Sequence, residues 1–320
     1  MSRIALLGAT GTIGRATAEA LVAAGHEVVC IVRPRREPLP QIAGAVVRVA
    51  DPADPVSLMN DGFASEAFDA VVSCMASRTG EPKDAWAIDH KAHSHVLAAA
   101  KRAGVQHFVL LSAICVQKPR LAFQQAKLAF EAELIASGLT YSIVRPTAFF
   151  KSLSGQIERV RSGRPFLLFG DGRLTACKPI SNSDLAAYLA GCLTDPARRN
   201  KILPIGGPGP AITPRDQGEA LFAMLGKEPR FRSVPPGFLG VIAGALGLAG
   251  RLVPSLATKA ELARIGHYYA TESMLVLDPE TGQYSAALTP ETGTRTLFDH
   301  YRAILAGEAA PDARGDHSVF

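Results

Sequence analysis

The run GATGTIG at 8–14 sets Gly8, Gly11 and Gly14 three residues apart, with Thr10, Thr12 and Ile13 in the same turn. It follows a short apolar run and opens a helical pattern. Glycines so placed permit a tight turn and let a pyrophosphate approach the backbone, where it sits on a helix N-terminus. The spacing is GxxGxxG, and a glycine-rich turn alone is a weak signal. Its position between a first strand and a first helix favours a dinucleotide site over a tight turn that binds nothing. The end of the second strand selects the dinucleotide. An acidic residue there would accept from the ribose 2′-hydroxyl of NAD. This chain instead has VRPRR at 32–36. Guanidinium groups match a 2′-phosphate with paired hydrogen bonds. NADP is therefore expected, with Arg33 and Arg36 as the clamp; a solvated basic loop is the plainer alternative. Asp51 either faces the adenine or caps the next turn.

A second constellation lacks one member. Short-chain dehydrogenases place a serine at the end of the fifth strand and a Tyr-xxx-Lys pair on the next helix. Ser112 and Lys127 fit, but Phe123 stands where the tyrosine would be. Phenylalanine has no proton to give. Lys127 can still hydrogen-bond a nicotinamide ribose, so hydride-donor machinery is present without the usual donor to a carbonyl oxygen. Either the substrate is not a ketone, or another group supplies the proton, or the chain only binds cofactor.

These residues need a frame. Apolar runs of four to six residues at 3–8, 27–32, 46–50, 70–74, 107–112 and 141–145 alternate with helical stretches at 13–24, 84–103 and 121–137. That alternation means a parallel sheet covered on both faces, a doubly wound, Rossmann-like α/β fold. Past Pro146 it weakens: 166–169, 176–179 and 201–204 read as short strands, 184–193 and 214–225 as helices. The expected division is a dinucleotide-binding domain over 1–150, a smaller substrate-capping part over 151–306 interleaved with the end of the sheet, and a loose tail over 307–320.

The 320 residues are 48% hydrophobic and 20% charged, enough for a buried core. A formal net charge of +5 with one tight basic cluster, Arg33, Arg35 and Arg36, suits a small anionic ligand better than a nucleic acid. Cys30, Cys74, Cys115, Cys177 and Cys192 show no metal-ligand spacing and read as buried free thiols in a reducing compartment. No signal or transit peptide is read before the strand at Ile4, which points to a cytoplasmic protein. The uncharged stretch 234–250 is too short to span a bilayer. A packed helix, a wall for an apolar ligand and a peripheral contact with a membrane surface stay open for it.

Several segments together resemble the divinyl chlorophyllide 8-vinyl-reductase family, atypical short-chain reductases. They are VSCMASRTG at 72–80, HFVLLSAICVQKP at 107–119, FQQAKLAFEAE at 123–133 and VRPTAFFKS at 144–152. FGDGR at 169–173, CKPIS at 177–181, LPIGGPG at 203–209, RIGHYY at 264–269 and SMLVLDPE at 273–280 extend the likeness. It runs from about residue 3 to residue 297. The resemblance implies NADPH as cofactor and reduction of the 8-vinyl group of a magnesium chlorin or porphyrin to ethyl, in chlorophyll or bacteriochlorophyll synthesis. Cys74, Ala76, Ser77, Pro146, Ala148 and Phe149 join the expected cofactor site, with Cys115, Phe150, Lys151, His267 and Tyr268 on the substrate side.

The implied chemistry makes Phe123 intelligible. Hydride added to the terminal vinyl carbon leaves charge that spreads into the macrocycle, so no oxyanion needs an acid beside it. Tyr268, Tyr269, Cys115 and a water near Lys127 are candidates for the second proton. Phe149 and Phe150 are either pocket wall or plain core. Lys151 and Arg159 either pair with a propionate or form a solvated face. His267 is either an axial ligand to the substrate magnesium or structural. No resident metal is expected, and the oligomeric state stays open. An NADP-sensing regulator similar to NmrA-like proteins and a reductase similar to the isoflavone-reductase group are the rivals.

Overall fold

The computed structural model describes residues 1–35, 39–250 and 253–309. In chain order the main strands are β1 (Arg3–Leu7), β2 (Glu27–Val32), β3 (Ala45–Val49), β4 (Ala70–Ser73), β5 (His107–Leu111), β6 (Thr140–Pro146), β7 (Phe166–Phe169), β8 (Lys201–Ile205) and β9 (Phe231–Val234). Two compact units share them. The first comprises Met1–Ser77, Pro82–Pro146 and Asn182–Ile205, and the second Arg78–Glu81, Thr147–Ser181 and Gly206–Phe320.

The first unit carries a seven-stranded sheet in the order β3-β2-β1-β4-β5-β6-β8. Every pairing in it is parallel. Together with its flanking helices this is the Rossmann-like arrangement that the strand–helix alternation predicts. The central strands β1, β4 and β5 are buried almost throughout, as continuous apolar runs between two helical layers must be. The edge strands differ. β3 exposes Val46 and Val49, and β8 contains Pro204, whose missing N–H matters little at an edge. Leu7 lies level with Ile31 and Ser73, so β1, β2 and β4 end together. The chain order reverses between β1 and β4, and the crevice beyond such a switch point is where open α/β sheets take ligands.

Helices α1 (Thr12–Ala23), α2 (His93–Arg102), α3 (Ala122–Ala136) and α4 (Asn182–Gly191) cover this sheet. The pattern over 84–103 predicts one plain helix. Instead Pro82–Ala85 runs into a π-helical turn, Trp86–Ala92, before α2. Val29, Ile31, Phe63, Phe108, Phe130 and Leu134 anchor the core on one side of the sheet.

In the second unit β7 pairs with β9, and Val276–Leu277 with Tyr284–Ser285. Its helices include α5 (Pro214–Met224), α6 (Phe238–Ala249), α7 (Pro254–Thr271) and α8 (Leu297–Ala306). Thr213 and Thr296 cap α5 and α8, each in a reciprocal box with an Asp three residues on. The strand expected at 176–179 is reduced to single bridges from Cys177 to Ile212 and Met274. Pro179 has no N–H to carry a ladder further. The expected loose tail falls largely beyond residue 309, outside the described residues. All five cysteines are free thiols. Among the described residues no helix is long and apolar enough to cross a membrane.

Candidate active site

The glycine turn fits a pyrophosphate for reasons of space. Gly8 has φ +81°, and a Cβ there would lie 2.6 Å from the Cys74 carbonyl. A Cβ on Gly14 would meet the Gly8 carbonyl oxygen at 2.0 Å. Both positions therefore require glycine, one to press the turn against the end of β4 and the other to press α1 against the turn. The Gly11 amide donates to Gly8 O at 3.0 Å and closes the loop. Gly11 is the N-cap of α1 and offers no side chain as a cap, and no acidic residue stands in the first turn. Thr10, Gly11 and Thr12 are exposed and Ile13 half-buried. The positive end of the helix dipole is thus presented on a turn with no side chain in the way, as an anion site requires.

Arg33 follows β2 directly and is exposed; Arg36 lies outside the described residues. Asp51 Oδ1 accepts from the Ala53 amide at 2.9 Å, which is the capping geometry for the turn after β3. Beyond β4, burial pushes the Cys74 thiol up to about 12 despite its contact with Thr17 Oγ1. Such a thiol stays protonated and inert. Ala76 is exposed and Ser77 buried.

Lys127 does not stand alone. Its Nζ lies 2.9 Å from Asp89 Oδ1, and the Asp89 side chain is 0% exposed. The same oxygen accepts from the Ser77 amide at 3.2 Å. Burial would raise the Asp89 pKa, but the Lys127 ammonium and the hydrogen bonds outweigh it and hold the carboxyl below its usual range. Asp89 lies in the π-helical turn, which packs on α3. His93 sits four residues on, with Nδ1 2.8 Å from Ile88 O and Nε2 2.9 Å from Ser73 Oγ. A carbonyl only accepts, so Nδ1 carries the proton and Nε2 accepts from the serine. Burial, aided by the Lys127 charge, lowers the His93 pKa to about 4, so the ring is neutral near pH 7. Phe123 is half-buried one helical turn before Lys127.

Ser112 is buried, and its hydroxyl donates to Glu131 Oε1. Glu131 is paired in turn with the Arg145 guanidinium. The serine is thus engaged by a buried ion pair that no spacing rule announces. Cys115 is buried beside it in sequence, and its carbonyl accepts from Gln124 Nε2 at 3.1 Å, tying this loop to α3.

Pro146 ends β6, buried. In the second unit the Ala148 carbonyl accepts from the Ile180 amide at 2.9 Å, and Phe149 bridges Ile180. Phe149 is half-buried, whereas Phe150 is buried with its ring 5.4 Å from that of His300. Lys151 is half-buried. Arg159 donates to Pro165 O at 2.8 Å, a local loop contact. His267 on α7 faces α6, where a Cβ on Gly240 would lie 3.3 Å from its imidazole. Tyr268 is buried, edge-on to the exposed Tyr269 at 5.7 Å. Among the described residues no cluster of three or more His, Cys, Asp or Glu could hold a metal ion.

Within the first unit Gly8, Gly14 and Cys74 meet at the end of β4, and Ser77 and Lys127 meet on Asp89. Asp89 and His93, and Glu131 and Arg145 beside Ser112, are the residues that sequence reasoning missed. An aspartate or glutamate inside a helical stretch reads as part of a solvated face, and only the partner across the helix interface shows otherwise.

An NAD(P)H-binding family model matches residues 8–196. Divinyl chlorophyllide a 8-vinyl-reductase, chloroplastic, of Cucumis sativus is 48% identical over 100% of this chain and 80% of its own length. The same enzyme of Oryza sativa subsp. indica is 47% identical over 99% of this chain and 82% of its own. Among solved structures, the NADPH-dependent quinone oxidoreductase QOR2 of Escherichia coli superposes with a TM-score of 0.65 at 21% identity, over 94% of this chain and 99% of its own. The leucoanthocyanidin reductase of Vitis vinifera does so with 0.67 at 16%, over 95% and 99%. At those identities the structures share the fold. The likeness to the two plant enzymes runs the whole length of the chain, which therefore belongs to the divinyl chlorophyllide a 8-vinyl-reductase family.

Proposed function

We propose that this protein reduces the 8-vinyl group of divinyl chlorophyllide, or of its protochlorophyllide counterpart, to ethyl with NADPH, in chlorophyll or bacteriochlorophyll synthesis. The whole-length similarity to the plant enzymes, 47% in rice and 48% in cucumber, carries this reading. In it the turn 8–14 holds the pyrophosphate, Arg33 and Arg36 take the 2′-phosphate, and Lys127 holds the nicotinamide ribose. Ala76, Ser77 and Pro146 of the first unit take up the rest. NADPH, when bound, supplies a hydride to the vinyl group, whose conjugation to the macrocycle gives the electron pair somewhere to go. No oxyanion forms, so Phe123 has no proton to deliver and serves as an apolar wall. Ser112 acts through Glu131 as a brace for the loop before α3. Phe149, half-buried, offers an apolar face to a flat pigment, and Phe150 is buried against His300.

A peripheral contact with a membrane surface belongs to the same reading. α6 carries no charge, and its Val241 is 73% and Leu248 67% exposed. The experiment is an assay of purified protein with NADPH and divinyl chlorophyllide a. Steady, pigment-dependent NADPH oxidation with monovinyl product is expected. Cofactor binding without turnover would point instead to a sensor.

A further inference from the structure

We infer that Asp89 is a positioning residue for the nicotinamide half of the site, an inference that rests on the proposed NADPH site. One oxygen, Oδ1, meets both the Lys127 ammonium on α3 and the Ser77 amide beyond β4. These two groups come from segments 50 residues apart, and both belong to the proposed cofactor surface. A single buried carboxylate atom sets their spacing.

The environment makes this a charge-pair function and not a packing one. Asp89 is held ionised, with its side chain 0% exposed. The groups facing it are Lys127 and His93, and His93 is committed as a neutral tautomer by Ile88 O and Ser73 Oγ. Lys127 is therefore the cation that balances it. Its second oxygen, Oδ2, is buried with no hydrogen-bond partner among the described residues. A purely structural aspartate would have both oxygens satisfied, since an orphaned buried acceptor is costly. An acceptor held beside the ribose-binding lysine can take a hydrogen bond from a ligand hydroxyl or from a water that the ligand brings. The π-helical turn has a reason here as well. It widens the helix locally and delivers Asp89 to α3, and such turns recur at functional sites.

The test is a double-mutant cycle on Asp89→Asn, Lys127→Met and the pair, read by NADPH titration of the pigment-free protein, by kcat and KM for divinyl chlorophyllide a, and by Tm. Asp89→Asn is isosteric, so the protein should fold. It should bind NADPH about tenfold more weakly and lose about tenfold in kcat, with KM for the pigment little changed. Lys127→Met should lose binding similarly and also lower Tm, because it strands a buried carboxylate. The double variant should recover much of that Tm and bind NADPH no worse than Lys127→Met alone. Wild-type affinity and kcat in Asp89→Asn would overturn the inference alone. So would losses that multiply in the double variant, since independent residues combine in that way. A wild-type protein that does not bind NADPH would overturn the cofactor reading and this inference with it.

Discussion

In the proposed cofactor site, Arg33 is the residue that tells a 2′-phosphate from a 2′-hydroxyl. Each charge-assisted contact to the phosphate is worth about 1.5–3 kcal/mol. Replacing Arg33 and Arg36 by alanine should therefore weaken NADPH binding at least tenfold and leave NADH almost unchanged in a fluorescence titration. Equal losses for both would mean that the arginines form only a basic loop. Phe123 makes the opposite kind of statement. Phe123→Tyr should not raise vinyl reduction above wild type, because no acid is needed at 123. A gain on adding the hydroxyl would show that a missing donor had been limiting. His93 carries a pH signature. Its pKa falls from 6.5 in the open chain to about 4 in the fold, so the unfolded state binds its proton first. Stability should drop as pH falls from about 6.5 toward 4, by about 2 kcal/mol between pH 7 and pH 5 from this residue. Urea melts at those two pH values should show a smaller drop in His93→Gln than in wild type. An identical drop would show that His93 is not the group titrating. At this scale the geometry of the glycine turn was legible because type and spacing define it, as they define the proposed roles of Arg33, Phe123 and Lys127. Asp89, His93, Glu131 and Arg145 were not, because each takes its role from a partner 14 to 38 residues away that only the fold brings near.

At the scale of elements, β1, β2, β4, β5 and β6 were readable from apolar runs, since a parallel strand buried on both faces has no polar alternation to confuse it. Three features escaped. The apolar run around Cys177 forms single bridges and no strand, because Pro179 has no N–H to donate to a ladder. The π-helical turn Trp86–Ala92 has no composition of its own; it carries Asp89 to Lys127, and His93 follows it onto Ser73. α7 and α8 follow an apolar stretch whose membrane and core readings compete, and α7 covers α6 through close contacts at Gly240, Gly247 and Gly250. The β1–α1 turn is the element that holds the pyrophosphate in the proposed site. Gly14→Ala drives a methyl onto the Gly8 carbonyl, and backbone cannot move aside as a side chain end can. Overpacking of this kind costs about 1–3 kcal/mol. The variant should melt lower and lose NADPH affinity together, measured by thermal unfolding with and without cofactor. A wild-type cofactor-induced rise in Tm would show that the turn does not contact the pyrophosphate.

For the whole molecule, the first unit carries the Rossmann-like sheet and the proposed cofactor residues, and the second carries aromatic and apolar side chains of its own. The chain keeps the lysine of a carbonyl reductase and discards the phenol, which suits a substrate that is its own electron sink. Hydride at the terminal vinyl carbon leaves charge that the macrocycle delocalises; hydride at the inner carbon leaves a primary carbanion without relief. A few kcal/mol between these paths exceeds a hundredfold preference, as each ~1.4 kcal/mol is tenfold. The most direct measurement is therefore NMR of the product formed from divinyl chlorophyllide a and NADPH deuterated at the transferred position. Deuterium is expected in the methyl of the new ethyl group, with solvent hydrogen in the methylene. Label in the methylene, or at neither carbon, would contradict vinyl reduction by direct hydride delivery and the reading of Phe123 that depends on it.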